Sequence, residues 1–177
     1  MFKNLTVYRM GPDWTATAAE IEAELDKGRF VERGASQQKS MGWVEPRGEA
    51  NAPLVEVVDG QILLKPMTAQ RVVPGSVIKK RTEEIAAQIE EQTGRKPGKK
   101  QIKDLKEQAL HELLPMAFTK QSTTRVWIAP QERLLMLDTG SQSKADEVVT
   151  LLAQTFHGLS MSLIQTAMSP TAAMTHW

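Results

Sequence analysis

The stretch LVEVVDGQILLK, residues 54–65, contains two β-rich runs joined by the dipeptide Asp59-Gly60. Asp-Gly accepts the positive φ angles that a type I′ hairpin turn requires. The stretch therefore predicts an antiparallel β-hairpin, with residues 54–58 and 61–65 as its two strands. It is the clearest local pattern in the chain, and the other elements are placed outward from it.

A second hairpin follows the same pattern further along the chain. Residues 124–128 and 134–138 are its strands, and a turn around residues 130–132 joins them. A helix comes next, for which Ser143 is the predicted N-cap and Gly158 the end. Its apolar positions recur at helical spacing: Val148, Leu151, Leu152 and Phe156.

The N-terminal part begins with a predicted strand within residues 2–7. A helix follows, capped by Thr15 or Thr17 and ended by Gly28, and its apolar residues are Ala18, Ile21 and Leu25. A short strand is predicted around Phe30 and Val31. Residues 34–53 are rich in Gly, Pro, Ser, Gln and Asn, which predicts a loop around the apolar segment 41–44.

Between the two hairpins lies an insertion with two amphipathic helices. After Pro74, Ile78, Ile85 and Ile89 form one apolar stripe. Gly94 suits a helix C-cap, and Pro97 suits the start of the next helix. From Lys99 to Pro115 the second helix carries a wider apolar face: Ile102, Leu105, Ala109, Leu110, Leu113 and Leu114.

The element order predicts an α+β fold, an antiparallel sheet with flanking helices and a protruding helical-hairpin arm. Residues 1–73 and 121–177 would form the body, and residues 74–120 the arm. The last segment, residues 162–177, carries apolar side chains without a predicted closing helix. We therefore expect the body to be incomplete at its C-terminal end and the chain to be part of a longer protein.

Charge is concentrated in the arm. Residues 79–106 hold nine of the 22 basic side chains and five acids, so this stretch carries +4 while the whole chain is only +1. Between residues 95 and 100 there are four bases and no acid. A polyanion responds to such a local surface more than to the net charge, although mixed Lys and Glu on helices are equally often a merely solvated face.

Catalytic and metal-binding patterns are missing from the sequence. The chain has no cysteine, and its three histidines (His111, His157 and His176) lack metal-ligand spacing, so no metal and no cofactor are expected. Residues 94–100, GRKPGKK, resemble a phosphate-binding loop, but the glycine spacing is one residue short and no Ser or Thr follows Lys99. We expect a protein that is not an enzyme; a fragment that has lost its catalytic half is a weaker alternative.

The aromatic residues favour duplex over single-stranded nucleic acid. Only 5% of residues are aromatic, and none lies among the basic side chains of residues 79–106. No platform on which nucleobases could stack is therefore apparent. Trp43 and Trp127 are predicted to be core residues. No apolar run long enough to span a membrane and no signal peptide is apparent, which favours a cytoplasmic location. The rival hypothesis is a protein-interaction module whose helical hairpin docks an acidic partner.

Several segments together resemble the RdgC family of bacterial recombination-associated proteins, in the family's order and with similar spacing. They are FKNLTVYR (2–9), MGWV (41–44), DGQILL (59–64), PGSVIKK (74–80), LHELLPMAF (110–118) and the hairpin VWI…LLMLDT (126–139). The resemblance covers essentially the whole chain, and none of these segments is a catalytic motif.

The resemblance implies a ring-shaped homodimer that encircles double-stranded DNA with little sequence preference and restrains RecA-promoted recombination. It would be nucleoid-associated and not an enzyme. It also implies that Phe118 lies where two subunits meet, whereas an apolar residue at a helix end is by default a core residue. We expect phosphate contacts, which give affinity without sequence information, from eight side chains: Lys79, Lys80, Arg81, Arg95, Lys96, Lys99, Lys100 and Lys103.

Overall fold

The computed structural model describes residues 2–32, 34, 37–165, 168 and 170–175. These residues form eight strands, five α-helices and one 3₁₀ turn. In chain order they are β1 (Thr6–Met10), α1 (Ala18–Lys27), β2 (Lys39–Val44), β3 (Glu56–Val58), β4 (Gln61–Val72), α2 (Gly75–Thr93), α3 (Lys99–Leu113), the 3₁₀ turn (Leu114–Met116), β5 (Phe118–Thr123), β6 (Val126–Ala129), β7 (Leu134–Leu137), α4 (Gln142–Thr155), β8 (Met161–Leu163) and α5 (Pro170–Thr175).

The strands form one antiparallel sheet within the described residues, hydrogen-bonded in the order β2-β4-β6-β7-β1-β8. Strands β3 and β5 both pair with β4 as well. The predicted α+β class with an antiparallel sheet is confirmed. By residue contacts the chain divides into two compact units, the first being Met1–Phe30, Gly42–Met67 and Thr123–Trp177 and the second Val31–Met41 and Thr68–Ser122.

The hairpin predicted at residues 54–65 is present. Asp59 has φ 50° and Gly60 has φ 76°, the paired positive angles of a type I′ turn. Val58 and Gln61 pair directly beside the turn, and Glu56 pairs with Leu63 further along the two strands. Strand β4 runs well beyond the predicted end, because buried Pro66 does not interrupt it. The second predicted hairpin is also present, as β6 and β7.

Helix boundaries follow local capping in α1, whereas both predicted ends of α4 are wrong: its last residue is Thr155, and its C-cap is Phe156, not Gly158. Thr17 is the N-cap of α1: its hydroxyl accepts a hydrogen bond from the Glu20 amide, and the Glu20 carboxylate accepts one from the Thr17 amide. The predicted cap of α4 is wrong, because α4 begins at Gln142 and Ser141 occupies the N-cap position. Ser143 therefore lies inside the first turn of the helix.

Residues 34–53 are predicted to be mostly loop, and this is wrong for residues 39–44, which form strand β2. Gly42 explains the difference, because a Cβ at this position would lie 2.5 Å from the Phe30 Cα atom and 2.9 Å from the Gly28 carbonyl oxygen. Here glycine permits close approach of two backbones and does not mark a loop. The strand predicted at Phe30 is reduced to an isolated parallel bridge between Arg29 and Trp43.

The core of the first unit is built around Trp43, which is 1% exposed, as predicted. Its indole nitrogen donates a hydrogen bond to the Thr155 hydroxyl at 3.0 Å, and its ring centroid lies 6.4 Å from that of Phe156. Trp127 is only partly buried, and its indole nitrogen donates to the Gln61 side chain at 2.9 Å. It is therefore less of a core residue than the sequence predicts.

Helix α5 was not predicted, so the expectation of no helix within residues 162–177 is wrong. His176 and Trp177, at the end of this region, lie outside the described residues. None of the described helices combines the length and the apolar character needed to cross a bilayer.

Candidate nucleic-acid interface

Helices α2 and α3 form a hairpin in the second unit, and the turn between them is fixed locally. Gly94 ends α2 with φ 68°, and its amide donates to the Glu90 carbonyl oxygen at 2.8 Å. The Thr93 hydroxyl donates to the Ile89 carbonyl oxygen at 2.6 Å. Helix α3 starts after Gly98, whose carbonyl oxygen accepts from the Ile102 amide. The turn thus holds a run of basic residues at the tip of the hairpin.

The two helices pack through an apolar seam. Ile85 on α2 and Leu105 and Ala109 on α3 are buried. Four partly buried residues pack against them: Ile78, Ala86, Ile89 and Ile102. Because this seam uses the apolar stripes of both helices, their charged residues are left on the two flanks of the hairpin and on its outer surface.

One flank, which we call the paired side, consists of Arg81, Glu84, Gln108 and Glu112. The Arg81 guanidinium donates to the Glu112 carboxylate at 2.9 Å and to the Glu84 carboxylate at 3.3 Å. The hydrogen bond with Glu112 raises the pKa of Arg81. Hydrogen bonds from Gln108 and then from Arg81 lower the pKa of Glu112. Arg81 therefore already has two carboxylate partners, and its charge is compensated within the hairpin.

The opposite flank is a groove, which we call the groove side. It has a volume of about 590 Å³, and its lining includes Lys79, Glu83, Ala86, Ile102 and Lys106. Lys79 and Arg81 are two residues apart, which is about 200° around a helix, so they fall on different flanks. The Lys79 ammonium lies 3.8 Å from the Glu83 carboxylate, a loose and exposed pair that contributes little.

Helix α3 carries a row of lysines beside this groove. Lys99, Lys103 and Lys106 fall within about 60° around the helix axis, at a rise of about 1.5 Å per residue. All three are exposed, and none forms an ion pair with any residue that the structure describes. Lys106 was not among the eight predicted contacts, although its spacing from Lys99 and Lys103 already placed it in this row.

The tip of the hairpin adds Arg95, Lys96 and Lys100. All three side chains are exposed. Lys96 lies 3.9 Å from the Glu90 carboxylate, whereas Arg95 and Lys100 form no ion pair within the described part of the chain. Lys80, on α2, is likewise exposed and unpaired among these residues. The tip and the lysine row together form a basic surface of six side chains: Arg95, Lys96, Lys99, Lys100, Lys103 and Lys106.

Phe118, at the start of β5, is not a core residue. Its exposed fraction is 91%, and that of Met116, two residues earlier, is 75%. Nearby backbone is held by Arg71, whose guanidinium donates to the carbonyl oxygens of Pro115 and Ala117 at 3.5 and 3.4 Å. Phe118 and Met116 expose large apolar side chains two residues apart in the chain, which makes this segment a candidate interaction site.

The residues that the structure describes contain no evident set of side chains that could bind a metal ion. No three His, Asp or Glu side chains come together there in a group that could hold a metal ion. Most carboxylates with lowered pKa values serve the fold: Asp138, for example, is partly desolvated, and hydrogen bonds from the amides of Lys3 and Asn4 lower its pKa. The candidate site that the described residues do provide is a charged surface.

Fold and surface together define an α+β protein with an antiparallel sheet and a basic helical hairpin. Comparison with known sequences makes this more specific. A family model described as "Putative exonuclease, RdgC" matches residues 1–177. The chain therefore belongs to the RdgC family, as the sequence resemblance indicates.

Curated relatives agree with this assignment. The recombination-associated proteins RdgC of Cupriavidus necator and Herminiimonas arsenicoxydans are each 43% identical to this chain over 176 residues. That of Bordetella pertussis is 39% identical over 178 residues. In each case the match covers 99% of this chain and 58% of the relative, so the chain spans a little over half the length of these proteins.

Proposed function

We propose that this chain binds double-stranded DNA without sequence preference, through the phosphates of the duplex. The observation that carries the proposal is the basic surface of the hairpin, which has six exposed basic side chains. Among the described residues, one of them forms an ion pair: Lys96, at 3.9 Å from the Glu90 carboxylate. Lysine and arginine on an exposed helix offer charge without the fixed hydrogen-bonding frame that base recognition needs, so they favour backbone contacts.

Two of the remaining predicted contacts, Lys79 and Lys80, stay part of the proposal as additional phosphate contacts. Arg81 contributes less, because binding a phosphate would require it to leave Glu84 and Glu112. Four acidic residues of α2 repel a polyanion: Glu83, Glu84, Glu90 and Glu91. We therefore expect the duplex to approach from the tip and from α3.

The wider proposal follows the family. We propose that the complete protein is a homodimeric ring around DNA, that it acts in the cytoplasm at the nucleoid, and that it restrains recombination because duplex occupied by it is not available to RecA. The relatives' names support a role in recombination. The word exonuclease in the family description points to cleavage instead. The exposed cations of the basic surface support binding, and an assay for cleavage separates the two.

A comparison of Lys103 and Arg81 tests the basic surface. If about six phosphates are neutralised, the logarithm of the binding constant should fall with the logarithm of salt concentration at a slope near −5. Lys103→Ala should flatten this slope by about 0.9, since one unpaired cation is lost. Arg81→Ala is the matched control and should change the slope by less than half as much, because its charge is already compensated. Fluorescence anisotropy with two unrelated duplexes measures both effects.

The proposal fails if the slope of the unmodified chain is close to zero or if affinity depends strongly on duplex sequence. An equal change for both variants would show that pairing with Glu112 does not remove Arg81 from the DNA contact. Gel analysis of the same duplexes after incubation with Mg²⁺ gives a check on cleavage, and we expect full-length DNA.

Phe118 supports a second part of the proposal, self-association. Phe118→Ser should raise the dissociation constant of the dimer by about tenfold or more, because a large apolar side chain at the centre of an interface contributes strongly to binding. The monomer should keep its fold, since this side chain is 91% exposed. Val57→Ser, another exposed apolar position on a strand, is the control. Sedimentation equilibrium measures association, and circular dichroism checks folding.

An unchanged dissociation constant for Phe118→Ser, with the fold intact, would remove Phe118 from the dimer interface. Equal weakening by Val57→Ser would show that the effect is a general one of exposed apolar area and not specific to this position.

A further inference from the structure

We propose that the groove side of the helical hairpin is a docking site for an amphipathic peptide segment of another protein, with apolar side chains on one face and acidic side chains along one edge. This goes beyond DNA binding, and it uses a surface adjoining the lysine row. The observation that carries it is an apolar groove bordered by an unpaired cationic wall.

The floor of the groove is apolar. Ile78 and Ala86 of α2 and Ile102 of α3 line it, and the hydroxyl of Thr82, between them, donates to the Ile78 carbonyl oxygen at 2.7 Å. The one hydroxyl in the floor is therefore already hydrogen-bonded within α2. A surface that contacts only phosphates has no need of such a floor, whereas a helix lying in a groove buries its apolar face there.

The walls of the groove differ in charge. The α3 wall contributes Lys106, the one α3 lysine that lines the groove. Lys103 and Lys99 continue the same face of the helix toward the tip, and none of the three forms an ion pair among the described residues. The α2 wall carries Glu83, with Lys79 at 3.8 Å. A bound segment is therefore favoured when its acidic edge faces α3 and disfavoured in the reverse orientation. This complementarity selects an acidic partner and sets its orientation.

The length of the groove fits a short helix. Along α2 its lining runs from Gly75 to Ala86. At about 1.5 Å per residue this spans roughly 16 Å, which corresponds to about three turns of a bound helix. Such a segment would place apolar side chains at positions i, i+3, i+4 and i+7 in the groove.

Binding of a synthetic peptide tests the proposal. The probe is a fluorescein-labelled 14-residue peptide with Leu at positions i, i+3, i+4 and i+7 and with Glu along one edge of the helix. Two control peptides replace either the Leu residues by Ala or the Glu residues by Lys. We expect saturable binding of the probe, measured by anisotropy, and at least about tenfold weaker binding of each control, because apolar burial and charge complementarity both contribute.

Two protein variants locate the binding site. Ala86→Arg places a long side chain in the groove and should weaken probe binding at least about tenfold. Ala87→Arg adds the same charge one residue away, at an exposed position about 100° around the helix, and should leave binding within about twofold. Circular dichroism of both variants confirms that α2 is retained.

Three outcomes would overturn the proposal: no saturable binding of the probe, equal binding of the peptide that lacks Leu, or equal effects of the two arginine variants. The salt slope of DNA binding separates this result from the DNA proposal. Ala86→Arg and Ala87→Arg remove no cation from the basic surface and each add one to α2, so the two variants should have similar slopes whether or not the peptide binds.

Discussion

Replacing Arg95, Lys96, Lys99 and Lys100 together with alanine should flatten the salt dependence of DNA binding by about 3 to 4 units. Each phosphate contact contributes about 0.9 to the slope, and four of the six side chains of the basic surface are lost. Near 0.1 M salt the same relation predicts affinity weaker by on the order of 10³-fold. This is the largest effect on binding that we expect, because the three tip residues and the adjoining Lys99 lie within six positions of the chain.

The control for this variant removes the same charge from elsewhere. Lys3, Arg9, Lys120 and Lys144 are exposed, and their joint replacement by alanine takes the formal net charge from +1 to −3, as the tip variant does. If DNA responds to the local surface, the control should keep a slope within about one unit of the unmodified chain. An unchanged slope in the tip variant, or equal losses in both variants, would remove the tip from the DNA interface.

The largest effect on stability is expected at Trp43. Trp43→Ala should lower the free energy of unfolding by about 3–5 kcal/mol, since a buried tryptophan is replaced by a cavity. The substitution also leaves the Thr155 hydroxyl without its indole donor and removes the ring that packs against Phe156. Urea denaturation followed by circular dichroism gives the measurement.

Trp127→Ala is the comparison for this prediction. Trp127 is only partly buried, although its indole nitrogen also donates a hydrogen bond, so the loss should be clearly smaller than at Trp43. A loss below about 1.5 kcal/mol for Trp43→Ala would contradict its place at the centre of the first unit. Equal losses for the two variants would mean that burial does not decide the difference.

Elements with strong local patterns could be predicted from the sequence. The type I′ turn at Asp59-Gly60 and the capping box between Thr17 and Glu20 depend on residues a few positions apart, and both are present. Strand β2 could not be predicted, because its Gly42 is required by backbone from residues 28–30, which the local pattern does not contain. The cap at Ser143 was wrong by two residues, since two serines compete for one helix start.

The candidate site shows the same division. The sequence placed a basic cluster on two amphipathic helices, and helical periodicity was sufficient to include Lys106 in the row with Lys99 and Lys103. The compensation of Arg81 by Glu112 could not be predicted, because these residues are 31 positions apart and meet only when α2 packs against α3. The exposure of Phe118 was also open, since an apolar side chain at a helix end is by default buried.

Turn angles, caps and amphipathic spacing act within a few residues of one another, so the sequence alone predicts both hairpins, four of the five described α-helices and the basic cluster. It determined the family as well. Which charges are available to a ligand depends on the tertiary fold, because the partners that compensate a charge come from distant parts of the chain. The packing of α2 on α3 places Arg81 against carboxylates and leaves Lys99, Lys103 and Lys106 exposed beside an apolar groove.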